Sequence, residues 1–367
     1  MDKIITTDQL RKKLVQHEPV FILDVRPTEQ RQEWHIAGSQ HLDAYKRLNA
    51  GDNTVLDEIE LPEDTTVVTV CAAGRISMIA SDVLRTKGFN AVSLEGGMKA
   101  WNYAWNTAEL QFQNGPKIIQ VRRVAKGCLS YVVGSGSDAI VIDASLDPQI
   151  YLGMAAENGW RIKYVTDTHI HADYVSRTRE LSKASGAKHV LLDRTKVNYE
   201  FTPISAGSSL SVGEATFEFI HTPGHTLESA SLKINDLALL TGDTLFIDSV
   251  GRPDLKADPD LVIQKSKSLY RSLKGLLTMN PSIFVLPAHT SKAILFDAKI
   301  IGAPLSNVRN NVSLLGASEE EFVSFTSSRV PPPPPNYQTI ASLNKEGSYE
   351  GHTLADLEAG ANRCAIS

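Results

Sequence analysis

The chain is 367 residues long, 42% hydrophobic and 22% charged, with a formal net charge of -5 and a pI of about 6.1. That length predicts two domains, three at most, of ordinary globular composition, and the charge gives no basis for binding nucleic acid or an anionic membrane. No apolar run approaches the ~18 residues of a membrane span.

The N-terminal MDKIITTDQLRKKL is amphipathic and lacks the apolar core of a signal peptide. Residues 3 to about 106 then read as alternating strands and helices. VFILDVR (20–26) and TTVVTV (65–70) are short apolar runs of the kind buried in a parallel sheet. SMIASDVLRTKGF (77–89) has helical spacing and stops at Gly88, and AVSLEGG (91–97) is a strand running into a glycine turn. This rhythm implies a small open parallel sheet flanked by helices. TAELQFQNGPK (107–117) is polar, carries Asn-Gly-Pro, and reads as a linker or edge turn.

Beyond it the pattern changes. CLSYVVG and AIVIDAS are two strands joined by hairpin chemistry. A helix at 148–158, the strand IKYVTDTH, a helix at 174–186 and the strand KHVLLD follow, and further hairpin strands come after them. This is a second α/β unit with antiparallel parts. PPPPP (331–335) is the one low-complexity stretch, expected to be an extended spacer. The tail NYQTIASLNKEG after it can form one more short helix.

Cys71 sits in VTVCAAGRISM, directly after an apolar strand and before a helix. The small residues Ala72, Ala73 and Gly74 let the backbone curl, and amides at a helix N-terminus favour an anion. Such a cradle stabilises a thiolate or a persulfide, and Arg75 adds positive charge. A random cysteine at a strand end is structural; this context points to a reactive one. In order, LDVRPTEQRQEWHIAGSQHLD, CAAGRIS and LEGGMKAW resemble a single-domain rhodanese, a sulfurtransferase, over nearly all of residues 1–106. The resemblance implies that Cys71 is the persulfide-forming nucleophile, with the loop amides and Arg75 holding the anionic sulfur donor. Many rhodaneses place an arginine five positions after the cysteine. Here Ile76 stands there and the arginine comes one earlier, which leaves the donor open.

Of ten histidines, six lie between 169 and 289. In TDTHIHADYVSR, His169, His171 and Asp173 alternate and so face one way in an extended segment. His225 in HTPGHT, Asp243 in LLTGDTLF and His289 in VLPAHTS each follow an apolar strand. Any one of them alone reads as a satisfied core or turn residue, as do His189 and His221. Together they resemble the metallo-β-lactamase fold superfamily over about 118–325, whose pattern is H-x-H-x-D-H followed by a distant His, Asp and His. The one departure is Tyr174, where the pattern has histidine. A neutral phenol with a reference pKa near 10 is a poor stand-in for imidazole, so the second metal position is depleted and the first is intact. THIHADY, TPGHT, LTGDTLFIDSVGRPDL and LPAHTS resemble the persulfide dioxygenases of this superfamily.

The expectation is therefore an α/β protein: a rhodanese-like parallel-sheet domain (1–108), a metallo-β-lactamase αββα sandwich (117–325) and a proline-rich extension (326–367). The resemblance implies that His169, His225 and Asp243 hold one iron(II) per chain. Two histidines and a carboxylate form a face that leaves positions for water, O2 and substrate. His171, Asp173 and His289 are additional ligands or their partners, and Arg252 binds substrate or braces the site. The implied reaction is oxidation of a small thiol persulfide, such as glutathione persulfide, to sulfite. It is coupled to rhodanese transfer among thiosulfate, sulfite and a thiol. The alternatives are a binuclear zinc thioester hydrolase resembling glyoxalase II, and a metal-free scaffold with only the rhodanese active. No nucleic-acid or membrane partner is expected, the resemblance allows a homo-oligomer, and the cysteine usage suggests a cytoplasmic location. Cys364 reads as a passive thiol.

Overall fold

The structure, a computed structural model, describes residues 3–255, 257–328, 332–360 and 363–366. The first unit runs β1 (Ile4–Ile5), α1 (Thr7–Val15), β2 (Val20–Asp24), α2 (Thr28–Glu33), β3 (Gln40–His41), α3 (Tyr45–Asn49), β4 (Thr66–Val70), α4 (Arg75–Thr86), β5 (Ala91–Leu94) and α5 (Gly97–Trp101). Its sheet has the order β1-β5-β4-β2-β3, and every pairing is parallel. Helices cover both faces of such a sheet, which is why β2 (VFILD) and β4 (TVVTV) are largely apolar. α1 begins at a capping box: Thr6 accepts from Gln9 N and the Gln9 side chain returns the bond to Thr6 N.

The second unit opens with seven strands: β6 (Trp105–Gln111), β7 (Lys117–Arg123), β8 (Leu129–Ser135), β9 (Asp138–Ile142), β10 (Arg161–Thr166), β11 (Lys188–Leu192) and β12 (Thr202–Ile204), with α6 (Pro148–Glu157) and α7 (Thr178–Ser185) between them. They lie side by side in sequence order. A second sheet holds β13 (Ser209–Val212), β14 (Ala215–His221), β15 (Ala230–Ile234), β16 (Ala238–Gly242), β18 (Phe284–Pro287) and β19 (Ala303–Pro304). Before β18 come the short β17 (Val250–Gly251) and α8 (Pro259–Leu276); after β19 come α9 (Leu305–Asn311) and α10 (Glu319–Ser328).

Alternation of side chains defines four layers. Val133, Ile140 and Ile142 of the first sheet share a core with Phe217, Phe219, Leu232 and Leu240 of the second. Val132 and Val141 point the other way, onto Tyr151 of α6 and Leu181 of α7. Leu239 and Val285 point away from the shared core onto Leu269 and Leu273 of α8. Helix, sheet, sheet and helix is the αββα sandwich, with one shared apolar interior. That interior also takes in Leu10, Met98 and Trp101, so the two units pack as neighbours around common apolar contacts. Among the described residues, no helix is long and apolar enough to cross a membrane.

Three regions differ from the sequence reading. Residues 107–117 are not a linker: β6 pairs antiparallel with β7 from Trp105–Arg123 to Gln111–Lys117, and only 112–116 turn. The strand is polar because it forms the sheet edge. The helix expected at 174–186 starts only at Thr178, because the backbone of 174–176 is engaged elsewhere, as described below. In the tail the expected short helix is present, but the rest of it is structured as well. It contains α11 (Tyr337–Glu346), α12 (Leu354–Leu357) and β20 (Ala365–Ile366), and β20 pairs antiparallel with β17. Pro331 lies outside the described residues.

Candidate metal centre and thiol loop

The ends of neighbouring strands converge at one edge of the sandwich. β16 and β18 are parallel neighbours, so the residues just past them, Asp243 and His289, come out together. The segment after β10 brings His169, His171 and Asp173, and the connection between β14 and β15 brings His225. All six side chains are between 0% and 4% exposed. Gly251 allows this crowding: a Cβ there would lie 1.8 Å from the carbonyl oxygen of Asp243.

Ligand atoms of His169, His225 and Asp243 all lie within 4.8 Å of one another. His169 Nε2 and His225 Nε2 are 3.7 and 3.5 Å from Asp243 Oδ2. The opposite ring nitrogens are committed, His225 Nδ1 to the carbonyl of Arg252 at 2.8 Å and His169 Nδ1 to Thr168 Oγ1 at 2.9 Å. A Nδ1–H donated to a carbonyl leaves the Nε2 lone pair to face inward. His169 Nε2 and Asp243 Oδ2 have no hydrogen-bond partner although both are buried. Buried polar atoms without partners are costly, and converging ones of this donor type fit a divalent metal. Burial, together with the charges around them, holds both imidazoles below their ordinary pKa, as neutral ligands must be. Burial alone would raise the Asp243 carboxyl, but His289 and His169 hold it far below the carboxylate range.

His171 occupies a different environment. Its Nε2 is 3.0 Å from Asp143 Oδ1 and 2.9 Å from the Tyr174 hydroxyl, which itself donates to the carbonyl of Asp143 at 3.2 Å. Its Nδ1 is buried without a partner. Tyr174 therefore does not supply a substitute ligand: its hydroxyl is turned to the Asp143 side, and burial pushes its pKa well above 10. Asp143 was missed in the sequence, where it appears only as the end of AIVIDAS. Its φ of 58° aims the carboxylate at His171, Thr168 N (2.7 Å) and Thr168 Oγ1 (3.0 Å).

A second group adjoins the first. His289 Nδ1 is 2.5 Å from Asp243 Oδ1, and His289 Nε2 is 3.0 Å from Asp173 Oδ2. The Cys128 thiol donates to Asp173 Oδ2 at 3.3 Å. Burial would lower His289, but Asp243 and Asp173 raise it well above its ordinary value.

Arg252 is fully buried. Its guanidinium grips Asp254 at 2.7 and 2.8 Å and donates to the carbonyls of Pro332 (3.1 Å) and Arg363 (3.0 Å). These bonds tie the tail to the loop after Asp243. Tail residues also hold the ligand segment. Asn344 bonds to the backbone of His171, Tyr174 and Ser176, and Glu358 Oε1 accepts from Val175 N at 3.0 Å while Oε2 accepts from Arg123 at 2.9 Å. These bonds keep 174–176 out of α7.

Cys71 follows β4 in the other unit and is buried. Its sulfur accepts from Gly74 N at 3.2 Å and from the Ser77 hydroxyl at 3.3 Å, and Ser93 donates to Ser77 at 2.8 Å. The loop is fixed from below by Met98 N on the Cys71 carbonyl and Lys99 N on that of Ala72. Gly97, at φ 57°, is required there, since a Cβ would sit 2.2 Å from the Cys71 carbonyl oxygen. Arg75 is exposed and donates to Asn49 at 2.8 Å rather than to Cys71. Ser77, one turn into α4, is the partner that loop composition alone did not reveal.

Residues 6–104 match the Rhodanese-like domain family and residues 123–289 the Metallo-beta-lactamase superfamily. Among curated proteins, the hydroxyacylglutathione hydrolase of Anaeromyxobacter dehalogenans is 30% identical over 165 residues, 45% of this chain and 64% of that protein. That of Methylococcus capsulatus is 31% identical over 159 residues, 42% and 58%. The mitochondrial persulfide dioxygenase ETHE1 of Mus musculus is 26% identical over 180 residues, 47% and 68%. The chain spans less than two thirds of the length of the first two. Of solved structures, a metallo-beta-lactamase from Staphylococcus aureus aligns with a TM-score of 0.57 at 22% identity, covering 68% of this chain and 75% of that one. ETHE1 from Myxococcus xanthus aligns at 0.55 and 24%, covering 66% and 100%. These two likenesses concern the fold.

Proposed function

We propose that this chain, a rhodanese-like domain followed by a metallo-β-lactamase-fold domain, oxidises a small thiol persulfide to sulfite with O2 in the second domain and moves sulfane sulfur through Cys71 in the first. The observation that carries the reading is the face made by His169, His225 and Asp243, two neutral imidazoles and one ionised carboxylate. An iron(II) held there supplies redox chemistry and open positions for O2 and a sulfur donor. The protein's own part is orientation and exclusion of water. Arg252 O and Thr168 fix the two rings, Asp143 and Tyr174 fix His171, and the side chains of the face are buried.

A small opening beside His169 and His171 is also lined by Ser176, Tyr199 and Asn344. Ser176, Tyr199 and Asn344 also line a cavity of about 280 Å³ that carries Arg179 and Lys183. Two carboxylates, Glu180 and Glu350, line it as well, and this mixed set of charges suits the carboxylates and the ammonium group of a glutathione-type carrier. In the first domain, Cys71 as thiolate attacks the outer sulfur of thiosulfate, the S–S bond breaks, and sulfite leaves with the electron pair. The persulfide sulfur then passes to a thiol. Sulfite is also a sulfur acceptor, so the two domains share a metabolite.

A second reading, a binuclear zinc thioester hydrolase, is favoured by the likeness to hydroxyacylglutathione hydrolases. It needs an imidazole where Tyr174 stands. Metal content of anaerobically purified protein, with O2 uptake on adding glutathione persulfide, separates the two. Iron with oxygen uptake and sulfite release is the expected result. Zinc alone, thioester cleavage and no oxygen uptake would overturn it.

A further inference from the structure

Cys364 is near the end of the chain, yet its thiol lies inside the metal centre. The pairing of Val250 with Ile366 and of Gly251 with Ala365 sets the register of the tail on the loop that follows Asp243. Arg252 N donates to the Cys364 carbonyl at 3.0 Å, and the Arg252 guanidinium holds the carbonyl before it, that of Arg363, at 3.0 Å. Cys364 is thereby 2% exposed, and its sulfur lies within 4.8 Å of ligand atoms of both Asp243 and His289, which are equally close to each other.

A second observation points to a ligand at this place. His289 Nε2 and Asp173 Oδ1 are buried and have no hydrogen-bond partner. His289 Nε2 is 3.0 Å from Asp173 Oδ2, close enough to bond but off the line that a hydrogen bond requires. Two buried polar atoms are thus left without a partner beside the Asp243–His289–Cys364 cluster. The Cys128 thiol donates to Asp173 Oδ2, and Cys128, Asp173 and His289 form a neighbouring cluster.

We propose that Cys364 is a metal ligand. Its thiolate, with His289 and the shared Asp243, makes a second cation position for a thiophilic divalent ion of the zinc class. The tail sulfur supplies the donor that Tyr174, turned towards Asp143, does not. Binding replaces the S–H bond with a sulfur–metal bond and releases the proton to solvent. The inference goes beyond the proposed function: it rests on the first position being a metal centre, and not on which reaction that centre runs.

The test uses the full chain, freed of metal and titrated with cobalt(II) alone. Wild type is expected to take up a second equivalent of cobalt and to develop sulfur-to-cobalt charge transfer in the near ultraviolet as it does so. Cys364→Ser is expected to lose that absorption and the second equivalent while keeping the first, and Cys128→Ser to keep the absorption. Absence of charge transfer in cobalt-loaded wild type, or its survival in Cys364→Ser, overturns the proposal. If the variant does not fold, X-ray absorption on zinc-loaded wild type decides: a sulfur neighbour at about 2.3 Å is expected, and a shell of nitrogen and oxygen only overturns it. Failure of oxygen uptake with the thiolate signal intact would sink the dioxygenase reading and leave this one standing.

Discussion

The side chain of Asn344 donates to the carbonyls of His171 and Tyr174, each at 2.8 Å, and accepts from Ser176 N at 2.8 Å. One amide from α11 thus satisfies three backbone groups of the ligand segment, across 173 residues of sequence. Asn344→Ala leaves them unpaired beside the metal centre. A buried unpaired group costs about 1–3 kcal/mol, and displaced support around ligands costs about 10–100-fold in metal affinity. Thermal denaturation and metal titration are expected to show both losses. Unchanged metal affinity in a destabilised variant would mean that the tail merely packs there.

The contrast between His169 and Asn344 shows what sequence can carry. His169, His171, His225, Asp243 and His289 are ligand-type residues placed where strands end, so periodicity and residue chemistry pick them out together. Asn344, Glu358 and Cys364 act by reaching back from an extension whose path is set by Arg252 and by β17, and no spacing rule encodes that return. Asp143 was hidden for a different reason: its role depends on a left-handed backbone, which Asp adopts without signalling it. Residues 107–111 read as a linker because an edge strand is as polar as one.

Ser77 donates to the sulfur of Cys71 and is itself held by Ser93. A hydrogen bond to a charged group contributes about 1.5–3 kcal/mol, and 1.4 kcal/mol is tenfold in rate. Cys71→Ser is expected to abolish thiosulfate-dependent sulfur transfer, and Ser77→Ala to slow it by about tenfold or more. A full-speed Ser77→Ala enzyme would assign the anion entirely to the loop amides.

The Tyr174 hydroxyl bridges His171 and the Asp143 carbonyl. Tyr174→Phe removes that bridge and no metal ligand. It is expected to lower stability by about 1 kcal/mol and to leave metal stoichiometry unchanged, read by denaturant unfolding and elemental analysis. Loss of bound metal would mean that the phenol oxygen is itself a ligand.

Arg179 lies over the ring of Tyr199 and donates to the Gly347 carbonyl, at the cavity beside the opening. If the cavity takes the carboxylates of the thiol carrier, Arg179→Ala removes binding shared by ground and transition states. KM for glutathione persulfide is then expected to rise about tenfold with kcat little changed. A fall in kcat with constant KM would place Arg179 among the groups that order the reacting atoms.

His189 gives the protein a sensitivity to acid that is independent of the metal centre. It lies on β11, 7% exposed, stacked on Tyr199, with neither ring nitrogen hydrogen-bonded. Burial, helped by Arg179, lowers its pKa from 6.5 to about 4. The unfolded chain therefore binds a proton at pH 4–6.5 that the folded chain refuses, so stability falls as pH drops through that window and is recovered as pH rises above it. The full span is on the order of 3 kcal/mol, of which about 2 kcal/mol is lost by pH 5. His189→Phe keeps an aromatic ring against Tyr199 and has no proton to bind. The difference in unfolding free energy between variant and wild type is expected to grow by about that amount from pH 8 to pH 5, measured by urea denaturation of metal-free protein. Parallel pH profiles for the two proteins would show that His189 takes up its proton equally in both states.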